Sequence, residues 1–81
     1  MDLSHVIGSN VRRYRQAMQM TQVQLAKLSG FNRSNLNRLE RGALGPGITI
    51  TTLERLAKAL EIEPSKLLER TVAEKPQPPG K

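Results

Sequence analysis

The sequence predicts an all-α domain of five short helices. Two observations carry that expectation. Apolar residues recur every three or four positions in successive segments, and helix-starting and helix-stopping residues punctuate those segments with no useful length of strand-like alternation between them. With 81 residues, of which 37% are apolar, there is room for one domain and one modest core. Most apolar side chains must then lie on inward helix faces. We expect that domain over residues 1–72, followed by a disordered tail over 73–81, because Glu74-Lys75-Pro76-Gln77-Pro78-Pro79-Gly80-Lys81 is too polar and proline-rich to pack.

The first helix is expected from about Ser4 to Gln19, with Ile7, Val11, Tyr14 and Met18 on its inward stripe and Arg12, Arg13 and Gln16 on other faces. The second begins at Thr21, because Thr21 followed by Gln24 forms a capping box. Leu25, Ala26 and Leu28 are its apolar positions, and Gly30 stops it in a left-handed turn. The third follows Asn32, a good N-cap. Its Leu36 and Leu39 face inward, Arg33, Ser34, Asn37, Arg38 and Arg41 face outward, and Gly42 ends it. The glycines and proline of residues 42–47 then break the chain. Ile48-Thr49-Ile50 is read as an extended lead-in, and Thr51 or Thr52 caps a fourth helix reaching about Leu60, with Leu53, Leu56, Ala57 and Leu60 inward. A short fifth helix starts near Pro64 and carries Leu67, Leu68 and Val72.

Charge narrows the function. The formal net charge is +6. Residues 1–42 carry seven cations, six of them arginine, against two carboxylates, whereas residues 43–81 carry six against five. A basic excess confined to one half points to a polyanion. Tyr14 and Phe31 are the only aromatic residues, too few to stack a single strand, so the expected polyanion is duplex DNA. There is no cysteine, which excludes disulfides and thiolate metal sites, and His5 stands alone among histidines and is expected to be exposed. No metal or cofactor is expected. Catalysis is not expected either, since no group of titratable residues is assembled. No apolar run is long enough to span a bilayer and the first residues lack a signal-peptide pattern, so the expected location is the cytosol.

The segment Thr21–Gly42, TQVQLAKLSGFNRSNLNRLERG, concentrates these features. Two short helices flank a glycine turn, a small Ala26 lies where the helices cross, and Phe31, Leu36 and Leu39 fasten the second helix to the body while polar donors crowd its outer face. That is the physical recipe of a helix-turn-helix unit.

On these residues the chain resembles the lambda-repressor-like family of phage Cro and repressor proteins, also called the xenobiotic-response-element helix-turn-helix family. The match runs from about Ile7 to Leu68: Ile7-Gly8, Val11 to Arg15, Thr21-Gln22, Leu25-Ala26, Gly30, Leu39-Glu40-Arg41-Gly42, Thr52-Leu53 and Leu56 to Leu60. The resemblance implies a compact five-helix fold that binds an operator in double-stranded DNA, as a repressor that can regulate its own gene. It places Asn32, Arg33, Ser34, Asn37 and Arg38 at base edges of the major groove, with Arg33 the foremost candidate for guanine and Asn37 for adenine. It places Gln22 on a phosphate at the start of the second helix; Asn35, Arg41 and Arg12 are further phosphate candidates. It also implies an ion pair between Arg15 and Glu40.

One recognition helix reads few base pairs, so a two-fold dimer is expected, with Ile50, Leu68 and Val72 as exposed apolar candidates for its interface. Leu67 is assigned to the core, and Met18 and Met20 are read as core filler. The chain departs from the family at Ser29, where an apolar residue is usual and Leu28 is expected to carry the apolar weight one place earlier, an arrangement also found in restriction–modification controllers. The loop from Gly42 to Leu53 is about two residues longer than usual. A second reading, an antitoxin or adaptor that uses the same fold to hold a protein partner, stays open at this level.

Overall fold

The computed structural model describes residues 3–43 and 48–70. Val72, the loop residues 44–47 and the tail lie outside the described residues. Four α-helices and a closing 3-10 turn follow one another: α1 (Leu3–Ala17), α2 (Gln22–Ser29), α3 (Arg33–Glu40), α4 (Ile50–Ala59) and the turn Pro64–Leu68. Among the described residues there is no strand. The expected fifth α-helix is therefore a 3-10 turn, opened by Pro64 and closed by Glu69 in extended geometry.

Local chemistry sets the helix ends. At α2 the Thr21 hydroxyl accepts from the Gln24 N–H (3.0 Å) and the Gln24 side chain accepts from the Thr21 N–H (2.8 Å), so the capping box is complete. Gly30 ends that helix in the left-handed region (φ 73°), its N–H donating to the Ala26 carbonyl. At α3 the Asn32 side chain accepts from the Asn35 N–H (3.1 Å). The far end of α3 closes when Ala43 N–H reaches back to the Arg38 carbonyl across Gly42, itself left-handed at φ 75°. The cap of α4 is Thr49, not Thr51 or Thr52: its hydroxyl accepts from the Thr52 N–H at 3.1 Å. The helix thus begins at Ile50, inside the stretch expected to be extended. Three threonines in four positions offered three hydroxyls able to cap, and sequence alone could not rank them.

The core is built from the inward stripes. Val11, Leu25, Leu36, Leu39, Leu56 and Leu67 are fully buried, with Ile7, Ala26, Ala57 and Leu60 beside them. Burying each such leucine stabilises the fold by about 1.5–3 kcal/mol. Tyr14, Met20, Phe31 and Leu53 pack against this cluster from its edge. Met18 does not fill the core: α1 stops at Ala17, Gln19 turns left-handed (φ 57°), and Met18 is left exposed on the turn.

Two buried polar residues tie the elements together, and sequence reasoning missed both. Asn10 is fully buried; its amide donates to the Leu67 and Glu69 carbonyls, each at 2.8 Å, pinning the C-terminal turn onto α1. Its place beside Ile7 and Val11 in the apolar stripe was the available signal. Ser29 is also buried, whereas Leu28 is 64% exposed, the reverse of the expectation. The Ser29 hydroxyl donates to the Leu25 carbonyl (2.8 Å) and accepts from the Phe31 N–H (3.2 Å), so a polar side chain is satisfied inside the core and also braces the turn.

Candidate nucleic-acid interface

Helix α3 is only two turns long, and its shape depends on what holds it. Leu36 and Leu39 anchor it in the core, and Glu40 anchors it to α1. Arg15 of α1 grips Glu40 with two parallel bonds, Nε to Oε2 at 2.7 Å and Nη2 to Oε1 at 2.9 Å, and its third nitrogen, Nη1, donates to the Met20 carbonyl (2.8 Å). The side chains are 13% and 3% exposed. A planar guanidinium suits this bidentate geometry, which a lysine could not reproduce.

The outer face of α3 is polar. At about 100° per residue, Arg33, Asn37, Arg41, Ser34 and Arg38 fall in that angular order within one arc of about 140°. Arg33, Ser34 and Arg38 are exposed, as is the capping residue Asn32, whose side-chain oxygen is committed to the Asn35 N–H. Asn35 is half-buried. Asn37 is half-buried too, and its amide is engaged: Nδ2 donates to Gln22 Oε1 (3.3 Å), and Oδ1 accepts from Arg41 Nη1 (3.4 Å).

Beside this arc the start of α2 meets α1 and the end of α3. Gln22, the first residue of α2, donates from Nε2 to Glu40 Oε1 at 3.1 Å. Together with Arg12, Arg15, Asn37 and Arg41, these two residues line a shallow depression of about 210 Å³. Of the phosphate candidates, Gln22, Arg12 and Arg41 are thus brought together, while Asn35 lies on a different part of α3. The exposed cations Arg12 and Arg41 and the N-terminus of α2 make this depression favourable to an anion.

The interface candidates Ile50 and Leu68 share one surface. Ile50 is 74% exposed and Leu68 39%, and they line a depression of about 430 Å³ with Leu3, Ile7, Ile48 and Leu53. Leu3, itself 50% exposed, was missed in the sequence, because α1 was expected to start one residue later. Among the described residues no group of histidine and carboxylate side chains could hold a metal ion. No helix among them is long and apolar enough to cross a membrane.

A capped two-turn helix, joined by a glycine turn to the helix beneath it and showing an arc of donors, defines a helix-turn-helix domain. The family described as "Helix-turn-helix" matches residues 11–67. The chain belongs to this family, in its lambda-repressor-like, xenobiotic-response-element type. It is 40% identical over 70 residues to the control protein C.SmaI of Serratia marcescens, covering 86% of this chain and 81% of that one. It is 38% identical over 71 residues to the uncharacterized HTH-type transcriptional regulator y4dJ of Sinorhizobium fredii, covering 88% and 90% of the two chains. Among solved structures, the restriction-modification controller protein C.AhdI of Aeromonas hydrophila superposes with a TM-score of 0.72 at 36% identity, over 79% of this chain and 94% of that one. A hypothetical transcription factor, NHTF from Neisseria, superposes at 0.80 with 27% identity, over 90% and 82%.

Proposed function

We propose that the protein is a transcriptional regulator that binds a specific site in double-stranded DNA as a two-fold dimer, with α3 lying in the major groove. The observation that carries this reading is the exposed arc of α3, whose cations Arg33 and Arg38 point away from a helix locked to the body through Leu36, Leu39 and Glu40. The basic bias of residues 1–42 and the anion-favouring depression beside α2 support it, as do relatives named as a control protein, a restriction-modification controller and HTH-type regulators. Asn32, Arg33, Ser34 and Arg38 address base edges in this reading. Gln22, Arg12 and Arg41 address phosphates on one flank, and Asn35 is a further phosphate candidate. The exposed apolar surface of Leu3, Ile50 and Leu68 is where a second copy packs, giving two α3 helices spaced for successive turns of the duplex.

Titration of random-sequence duplex across a range of salt concentrations tests the reading. With about 6–8 phosphate contacts, the logarithm of the binding constant falls with the logarithm of salt at a slope of about −5 to −7. A slope near zero would overturn it in favour of a protein-binding module on the same fold.

A further inference from the structure

The bonds around Gln22 form an ordered chain, and their direction is fixed from both ends. At one end Glu40 is a carboxylate, which only accepts. It takes Arg15 Nη2 and Gln22 Nε2 on the same oxygen, at 2.9 and 3.1 Å. The Gln22 amide must therefore turn its nitrogen toward Glu40 and its oxygen away. At the other end Arg41 only donates, so the Asn37 amide turns its oxygen toward Arg41 (3.4 Å) and its nitrogen toward Gln22 Oε1 (3.3 Å). The two requirements agree at the bond in the middle. An amide flip at either residue would set oxygen against oxygen or nitrogen against nitrogen.

This polarity decides what the depression offers a ligand. The remaining hydrogens on Gln22 Nε2 and Asn37 Nδ2 and the unused guanidinium hydrogens of Arg41 are all donors, which suits a phosphate oxygen. Adenine presents a donor and an acceptor side by side in the major groove, and a single asparagine must answer with both ends of its amide. Asn37 has those ends turned to Gln22 and Arg41, on two sides of itself.

We infer that Asn37 is a positioning residue that holds the Gln22 amide in its phosphate-donating orientation and does not read a base. It occupies the recognition helix yet serves backbone contact, so register and affinity depend on it and sequence choice does not. The inference rests on the DNA-binding reading and deepens it.

The test has a DNA-free arm and a DNA arm. In the free protein, Asn37→Ala shifts the side-chain NH₂ resonances of Gln22 and leaves the backbone spectrum of α2 and α3 in place. Unchanged Gln22 side-chain signals would show that the chain of bonds does not hold Gln22, and the inference would fail without reference to DNA. With duplex selected from a random pool, Asn37→Ala weakens binding about 2–10-fold, the effect of one hydrogen bond, with the ranking of sequences preserved. In a double-mutant cycle Asn37→Ala adds almost nothing once Gln22→Ala is present. Loss of preference at one base pair, or full additivity with Gln22→Ala, would overturn the assignment. Wild-type protein that ignores duplex at low salt would overturn the DNA-binding reading instead, and with it the inference.

Discussion

Gly8 of α1 lies against the backbone of Leu39 in α3 so closely that a β-carbon at position 8 would overlap the Leu39 carbonyl. The contact is backbone to backbone, so no side chain can rotate to relieve it. It lets α1 and α3 approach where Arg15 and Glu40 also join them. Gly8→Ala is therefore expected to destabilise the domain by about 3 kcal/mol, the upper end of ordinary overpacking costs, despite alanine's better helix propensity. Urea denaturation followed by circular dichroism measures this, and a neutral or stabilising result would mean that the helices separate easily.

The Arg15–Glu40 pair predicts an asymmetry. Arg15→Met leaves a 3%-exposed carboxylate without its counter-charge, held only by the Gln22 amide, and is expected to cost about 2–4 kcal/mol, between the values for exposed and fully buried pairs. Arg15→Met with Glu40→Leu removes both charges and recovers much of that stability. Comparison of thermal unfolding of the two variants checks it. If the double variant is the less stable, Glu40 is satisfied without Arg15, through the Gln22 amide.

Asn10 predicts a local effect. Asn10→Ala leaves the Leu67 and Glu69 carbonyls without their donor and opens a small void, at a cost of about 2–4 kcal/mol. Native-state hydrogen exchange is expected to accelerate first in the turn Pro64–Leu68, ahead of α2 and α3. Uniform acceleration throughout the chain would show that the turn is not separately tethered.

Base and phosphate contacts predict different signatures in DNA binding. Arg33→Ala relaxes the choice at one base pair, with a loss of about 1–3 kcal/mol on the preferred site and little loss on others. Gln22→Ala weakens all sequences alike. Site selection from random duplex distinguishes them, and the opposite pattern would exchange their roles.

The apolar surface predicts a variant that separates assembly from folding. Ile50 is the first residue of α4 and mostly exposed, so Ile50→Asp places a carboxylate where a helix start favours it. Monomer stability is expected to be unchanged, while the proposed dimer is lost in sedimentation. Retention of the dimer would place the interface elsewhere.

The helix-turn-helix unit was legible because each part has its own local signal: the capping box at Thr21 and Gln24, the glycine at position 30, the cap at Asn32, the spacing of Leu36 and Leu39. Features that depend on what lies across the fold were not. Ser29 reads as a surface residue until the Leu25 carbonyl and Phe31 N–H are seen around it, and Leu28 reads as core until α2 is docked. Asn10 needs a partner 57 residues away. Asn37 lies on the arc that helical periodicity marks as outward, and only the placement of α2 shows which neighbours its amide meets.

The eight residues Arg33–Glu40 could not stay helical alone in water. Their conformation is imposed from beneath by Gly8, Leu36, Leu39 and Glu40, none of which lies on the exposed arc. Arg33, Ser34 and Arg38 are thereby released from any duty to the scaffold. Under the proposed function, a lineage carrying this domain can retool its target preference one substitution at a time while its capacity to fold stays intact.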